Sequence, residues 1–386
     1  MNVKEAVVAE MCTGCGACVA VCPIKCVQLK LDKDGYYKRD IQKNSCLNCG
    51  KCINVCSALC KVQRLDCSKS FVVYAKNRQI AEMSASGGVA YLLSKRAIEK
   101  EYYVIGAVWD IERYGVKHTA VNSVEQLNAL RKSKYVQSYT AEIMEHLDSI
   151  PQFIMIGTPC QVAAARNIVG NREDVLLVDM DCMGPAGKNL LDKYIYFLKQ
   201  KNSSGIESIQ MRDKTKDWMT YGVKVNFLDG NTYYQDKYAD PFCICFNFAH
   251  SIQDTCLKNC RYCDCSMADI RIGDAWDYFG KFSRKVVRGG MSLVSIQTEK
   301  GLRWIQEIEP DAEIVPVKRK LSKKIDISAD KKIMEILRQP DKSIEDAVKI
   351  YKEKSMLVKS KRKIQEIISK NYYLYLLAKQ VKEIIK

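Results

Sequence analysis

Two cysteine runs of one spacing constrain this 386-residue chain more than any other feature. The first is Cys12, Cys15, Cys18 and Cys22, followed by Pro23; the second is Cys46, Cys49, Cys52 and Cys56. In both, the gaps are two, two and three residues, and the copies start at positions 12 and 46, so the segment is an internal duplication. Paired runs of this kind hold two 4Fe–4S cubanes: three thiols of a run wrap one cluster and the fourth crosses to the other. One cluster is therefore expected on Cys12, Cys15, Cys18 and Cys56, the other on Cys46, Cys49, Cys52 and Cys22. Gly14, Gly16 and Gly50 suit tight loops that turn backbone N–H groups toward sulfur. Zinc is the alternative, but it usually takes two CxxC pairs set far apart, so the spacing favours iron–sulfur.

This segment resembles the bacterial two-cluster ferredoxins. Ser57 stands where a second proline is usual, a position read as a turn aid. Cys26 and Cys60 each follow a run's last thiol by four residues and read as small apolar residues packed on a cluster; Cys67 reads as structural. The first eleven residues lack the apolar core of a secretory signal, and no apolar run is long enough to span a bilayer. The expectation is a cytoplasmic protein, where most of its 19 cysteines stay reduced and clustered thiols serve as metal ligands. The formal charge of +16 falls by roughly 6 if three clusters each bring about −2. Much of the remainder sits in Val317–Lys386, with 20 Lys and Arg against 9 Asp and Glu.

Beyond the runs, Phe71–Ala75 reads as a strand leading to Ser84-Ala85-Ser86-Gly87-Gly88 and a helix over Ala90–Lys100. Small residues that open a helix suit an anion, although an ordinary cap reads the same way. A strand follows at Tyr103–Trp109. Two strand–turn–helix units come next. Strand Phe153–Ile156 ends at Gly157-Thr158-Pro159-Cys160-Gln161, before a helix over Val162–Ile168. Strand Val175–Val178 ends at Asp181-Cys182, before a helix over Lys188–Lys199. Apolar strands alternating with helices imply a parallel sheet covered on both faces, with ligands at the carboxyl edge. Cys160 and Cys182 both lie just past such an edge. A hairpin (Val223–Phe227, Thr232–Gln235) precedes a second cysteine-rich stretch, Cys243, Cys245, Cys256, Cys260, Cys263 and Cys265, and a strand over Asp269–Gly273.

From about Val72 to Glu309 the chain resembles the family of beta subunits of coenzyme F420 hydrogenases and dehydrogenases. The residues that carry the likeness are Gly157–Gln161, Asp181-Cys182, Cys260-x2-Cys263 and Ala268–Asp274, with Ser86-Gly87-Gly88 and Ser133–Ser138. The resemblance implies a third 4Fe–4S cluster on Cys160, Cys182, Cys260 and Cys263. It also implies FAD near Ser86, Gly87, Gly88, Ser133, Lys134, Tyr135, Gly157, Thr158, Pro159 and Gln161. Arg212, Asp213, Lys214 and Trp218 match a further recurring stretch. Three departures stand out: Met183 after Cys182, the Ala275 and Asp277 positions, and the extra thiols Cys243, Cys245, Cys256 and Cys265, any of which can replace an assigned ligand.

The expected architecture is an α+β ferredoxin-like domain (1–68), an α/β domain with a mixed, mainly parallel sheet (69–316), and a helical basic C-terminal tail (317–386). The tail reads as helices over Leu321–Ile327, Ile333–Leu337 and Ile344–Tyr351, and an amphipathic stretch from Ile364. It either packs on its own core or contacts the inner face of a membrane peripherally. Nucleic acid is not an expected partner, because no binding motif accompanies the charge. The functional expectation is an FAD- and iron–sulfur-dependent oxidoreductase that exchanges electrons with a partner protein or a small, deazaflavin-type acceptor. The alternatives are a non-catalytic electron-transfer subunit and a polysaccharide-biosynthesis protein whose clusters are structural.

Overall fold

A computed structural model describes residues 1–7, 9–113, 115–320 and 329–353, with isolated positions between 364 and 378. Strands β1 (Val27–Leu31) and β2 (Tyr37–Ile41) form an antiparallel hairpin between the two cysteine runs. The short helices Ala17–Ala20 and Lys51–Asn54 begin after Gly16 and Gly50, which cap them at φ 81° and 79°. A side chain is strained in that conformation. The remaining strands are β3 (Gln63–Arg64), β4 (Ser70–Ala75), β5 (Tyr103–Asp110), β6 (Gly115–Val121), β7 (Phe153–Gly157), β8 (Val175–Met180), β9 (Ile206–Asp213), β10 (Gly222–Phe227), β11 (Thr232–Asp236), β12 (Cys265–Ser266), β13 (Ile270–Asp274), β14 (Ser292–Ile296) and β15 (Ala312–Val317).

Eight of them form one mixed sheet in the order β15-β4-β14-β13-β8-β7-β5-β6. Its centre, β13-β8-β7-β5, is parallel. The flanking pairs are antiparallel. Because β4 and β13 are each antiparallel to β14, β4 runs with the central four, so five of eight strands share a direction. The sequence reading found β4, β5, β7, β8 and β13, which carry the βα units, but not β6, β14 and β15, which supply the antiparallel flanks.

The near-continuous apolar runs of β7 and β8 follow from cover on both faces. On one face, helices Val89–Glu99 and Glu299–Glu307 bury Leu92, Leu93, Trp304 and Ile305 against Ile154, Leu176 and Val178. On the other, helix Pro159–Val169 and the short helix Ala141–His146 pack on Phe153, Met155, Val175 and Leu177. Cys15, Ala17 and Val55 share that second core, so the first cysteine run is docked on the sheet. Each fully buried aliphatic side chain there contributes about 1.5–3 kcal/mol.

A smaller sheet, β11-β10-β9, lies apart from the large one. Its core includes helix Lys188–Lys201 and the helices Lys331–Arg338 and Ile344–Glu353, through Ile333, Leu337, Ile344, Ala347 and Tyr351. This part of the expected tail is packed on the body of the protein. The expected helix at Leu321–Ile327 lies outside the described residues, as does most of the chain after residue 353. Among the described residues, no helix is long and apolar enough to cross a membrane.

Candidate iron–sulfur and anion site

Folding brings the first eight cysteines together as two crossed quartets. Cys12, Cys15, Cys18 and Cys56 line one cavity, with Val3, Val7 and Leu29. Cys22, Cys46, Cys49 and Cys52 line another, with Cys26 and Val27. The donors are sulfur, the walls largely apolar, and hydrogen bonds point inward: Val3 N donates to Cys52 Sγ at 3.3 Å and Ser57 Oγ to Cys15 Sγ at 3.3 Å. A Cβ at Gly14 would collide with the Tyr37 carbonyl, and one at Gly16 would fall 2.9 Å from Thr140 Oγ1. Both glycines therefore permit the close approach of loop and body. Burial raises the Cys18 thiol, and repulsion from Cys15, Cys12, Cys56 and then Cys52 adds to it, so the two quartets adjoin. Thiols set around a cavity suit a cluster with an iron at each corner.

Cys26 sits 3.5 Å from Cys22, sulfur to sulfur, and burial pushes its thiol up to about 12. Its side chain is buried in a small core with Val3, Val27 and Ile41. Ser57, which stands where a turn proline is usual, is a hydrogen-bond donor to the Cys15 thiol. No spacing rule exposes that role.

At the carboxyl edge of the sheet, Cys160 opens helix Pro159–Val169, whose first turn is fixed by a capping box between Thr158 and Gln161. Burial pushes Cys160 up to about 12, and Cys182, Cys15 and Cys260 repel its thiolate. Cys182 accepts a hydrogen bond from Gly184 N at 3.3 Å and is raised to about 11 by burial, with Cys260 adding to it. Cys256 faces the same three thiols, Cys182, Cys160 and Cys260. Of the other extra thiols, Cys243 and Cys245 are fully buried in the core beside the small sheet, and Cys265 lies in β12 paired with Arg64. Arg271 on β13 fixes this stretch. It pairs with Asp179 at 2.6 Å, both side chains at most 1% exposed, and donates to the carbonyls of Tyr262 and Cys265.

The residues that the resemblance links to a flavin have packing roles of their own. Ser86 Oγ donates to the Met291 carbonyl, and Gly87 N to Ser292 Oγ. Gly88 caps helix Val89–Glu99 at φ 96°. Lys134 Nζ turns back to the carbonyls of Arg131 and Lys132, and burial pushes it down to about 7. Tyr135 stacks on Phe246. Thr158 N donates to Gln161 Oε1.

Beside them lies a group of buried cations. Arg212 pairs with Asp274 at 2.8 Å and lies over the rings of Tyr221 and Trp276. Burial opposes its charge, but Asp274 more than offsets this and keeps the guanidinium protonated. Lys132 pairs with Asp213 at 3.2 Å. Lys237 donates to the Met219 carbonyl, and burial pushes it down to about 8. Lys214 Nζ donates to the carbonyls of Ala81, Ser86 and Gly289. Burial pushes Lys214 down to about 6, but three carbonyl acceptors favour the ammonium form. Arg212 Nε and Nη2, Trp218 Nε1 and Tyr234 Oη are buried without a hydrogen-bond partner. Orphaned donors beside surplus positive charge fit an anionic, hydrogen-bonding ligand.

Residues 151–320 match the family described as the C terminus of the beta subunit of coenzyme F420 hydrogenase/dehydrogenase, and residues 11–60 match the 4Fe-4S dicluster domain. The chain is similar to the F subunit of the F(420)H(2) dehydrogenase of Methanosarcina mazei, with 24% identity over 330 residues, 81% of this chain and 87% of that one. A chain of the F420-reducing [NiFe] hydrogenase complex from Methanosarcina barkeri aligns at a TM-score of 0.46 and 17% identity, over 76% of this chain and 93% of that one. Two separate parts of the chain, residues 11–60 and 151–320, are thus similar to a 4Fe-4S dicluster domain and to the C-terminal region of coenzyme F420 hydrogenase/dehydrogenase beta subunits.

Proposed function

We propose that the protein is an iron–sulfur flavoprotein oxidoreductase that exchanges electrons with a small, deazaflavin-type substrate. The observation that carries this reading is the continuous run of thiol groups through the molecule. Cys52, of one quartet, is a neighbour of Cys18 in the next. Cys15, of that next quartet, is a neighbour of Cys160 at the sheet edge.

In this reading Cys12, Cys15, Cys18 and Cys56 hold one cluster, and Cys22, Cys46, Cys49 and Cys52 a second. Cys160, Cys182 and Cys260 hold a third, together with one more thiol of the same stretch, which the family resemblance assigns to Cys263. When bound, the clusters supply single electrons and FAD a two-electron, hydride-level exchange. The chain supplies position and electrostatics. Arg212, Lys132 and Lys237 offer positive charge to an anionic cofactor or substrate at the carboxyl edge. Lys214 pins the Ser86–Gly88 loop to Gly289. Arg271, neutralised by Asp179, holds the backbone that follows Cys260. The relationship to a dehydrogenase of reduced F420 supports a deazaflavin as the substrate class.

Iron and flavin content of anaerobically purified protein tests the reading. About twelve irons and one FAD per chain are expected, four irons for each cluster. About eight irons without flavin would leave only the dicluster domain standing and sink the flavoprotein assignment.

A further inference from the structure

Four residues before Cys260 lies a thiol that neither spacing nor family resemblance places in a cluster. We propose that Cys256 is the fourth ligand of the third 4Fe–4S cluster, with Cys160, Cys182 and Cys260, and that Cys263 is not a ligand. This rests on the third cluster of the reading above and changes its ligand set.

The helix that carries Cys256, Asp254–Lys258, is short but firmly held. Thr255 Oγ1 donates to the Glu10 carbonyl at 2.7 Å and to the Cys12 carbonyl at 3.3 Å. Lys38 Nζ donates to that same hydroxyl at 3.1 Å and also to the Cys12 carbonyl. The helix is thereby clamped to the loop that opens the first cysteine run, and Cys256 faces the loop that follows β8.

That loop meets Cys256 through Gly184, at φ +109°. A Cβ on Gly184 would fall 2.7 Å from Cys256 Cβ and 3.2 Å from Cys256 Sγ. The backbone N–H of the same glycine donates to Cys182 Sγ. One residue without a side chain thus separates the two thiols, and any side chain there would push them apart. Cys256 faces Cys182, Cys160 and Cys260, with Lys38 as a nearby cation. The same three thiols face one another. None of the four is in a disulfide. Four thiols that converge in this way suit a cluster with an iron at each corner.

The backbone around Cys263 is held by contacts of its own. Tyr262 Oη donates to the Ser57 carbonyl, Leu65 N donates to the Asp264 carbonyl, and Cys265 pairs with Arg64 of β3. Arg271 holds the carbonyls of Tyr262 and Cys265. The backbone on either side of Cys263 is therefore committed to β3 and to Arg271.

The test compares the full-length parent with Cys256→Ala and Cys263→Ala, all purified anaerobically, by iron content and by electron paramagnetic resonance of the reduced protein. The expected result is about twelve irons in the parent and in Cys263→Ala. Cys256→Ala should hold about eight, with the dicluster signals retained. A loss of four irons confined to Cys263→Ala overturns the ligand choice while leaving the third cluster in place. A parent with about eight irons overturns the third cluster itself, and this inference with it. Should Cys256→Ala fail to fold, Cys256→Ser decides the matter. A serine-ligated cluster has a shifted signal and midpoint potential, and an unchanged signal and potential count against ligation by Cys256.

Discussion

Ser57 sits at a bend where its carbonyl accepts a hydrogen bond from Tyr262 Oη at 2.6 Å, while its hydroxyl reaches Cys15 Sγ at 3.3 Å. A proline at this position would keep the turn and lose the hydroxyl. A hydrogen bond to a cluster thiolate stabilises the reduced, more negative cluster more than the oxidised one, so it raises the potential. Ser57→Ala should therefore keep the full iron content and lower the potential of the Cys12, Cys15, Cys18 and Cys56 cluster. A differential of about 1 kcal/mol corresponds to a shift on the order of 40 mV for one electron. An anaerobic redox titration followed by electron paramagnetic resonance reads it, and an unchanged or higher potential would show that the hydroxyl does not act on that cluster. The grouping of the first eight thiols was legible because cubane binding imposes a local spacing, and the folded chain gathers them around two cavities. Ser57 was silent, and Cys256 stood out only as one of four extra thiols, because their neighbours lie 42 and 74 residues away, at Cys15 and Cys182, and only the folded chain brings them close.

The Ser86-Gly87-Gly88 element shows how a segment legible as a motif also carries packing that the sequence does not reveal. Small residues before a helix suggested an anion site, and Gly88 does cap helix Val89–Glu99. Gly87, however, is pressed against β4 and β14: a Cβ there would run into the Val73 carbonyl and fall 2.7 Å from Ser292 N. Backbone on both sides leaves no side chain to yield, so Gly87→Ala should cost about 3 kcal/mol and lower the melting temperature by several degrees. Scanning calorimetry on the cluster-loaded protein measures this; a wild-type melting temperature would mean that the loop has room to shift. The central strands were readable from their unbroken apolar runs, Phe153–Ile156 and Val175–Val178, which only a sheet covered on both faces tolerates. The flanking β14 gave no such signal, since the serines of Ser292-Leu293-Val294-Ser295-Ile296 break its apolar run. Ser292 and Ser295 are nonetheless buried, bonded to Gly87 N and Ser70 Oγ respectively.

Across the whole molecule, the thiol groups run from an exposed loop to the carboxyl edge of the large sheet. The quartet of Cys22, Cys46, Cys49 and Cys52 is the outermost. Cys49 is exposed, and Leu47 and Ile24 beside it are 66% and 40% exposed. Exposed lysines stand near these apolar side chains along the chain, at positions 25, 43 and 51. The next quartet is docked on the sheet through Cys15, and the third group lies at its carboxyl edge beside the buried cations. Electron transfer falls steeply with distance, so a partner protein exchanges electrons fastest with the outermost cluster. The lysines favour an acidic carrier, whose encounter with them is steered by opposite charge and screened by salt. The rate of reduction by an acidic one-electron carrier protein should therefore fall as ionic strength rises. Charge reversal at Lys25→Glu with Lys43→Glu should slow it about tenfold at low salt without loss of iron, and the difference should close near 0.5 M salt, where the Debye length is about 4 Å. Stopped-flow reduction monitored through cluster absorbance gives these rates. Equal rates for parent and variant at every salt concentration would place electron entry on another face and leave the exposed Cys49 loop without a partner.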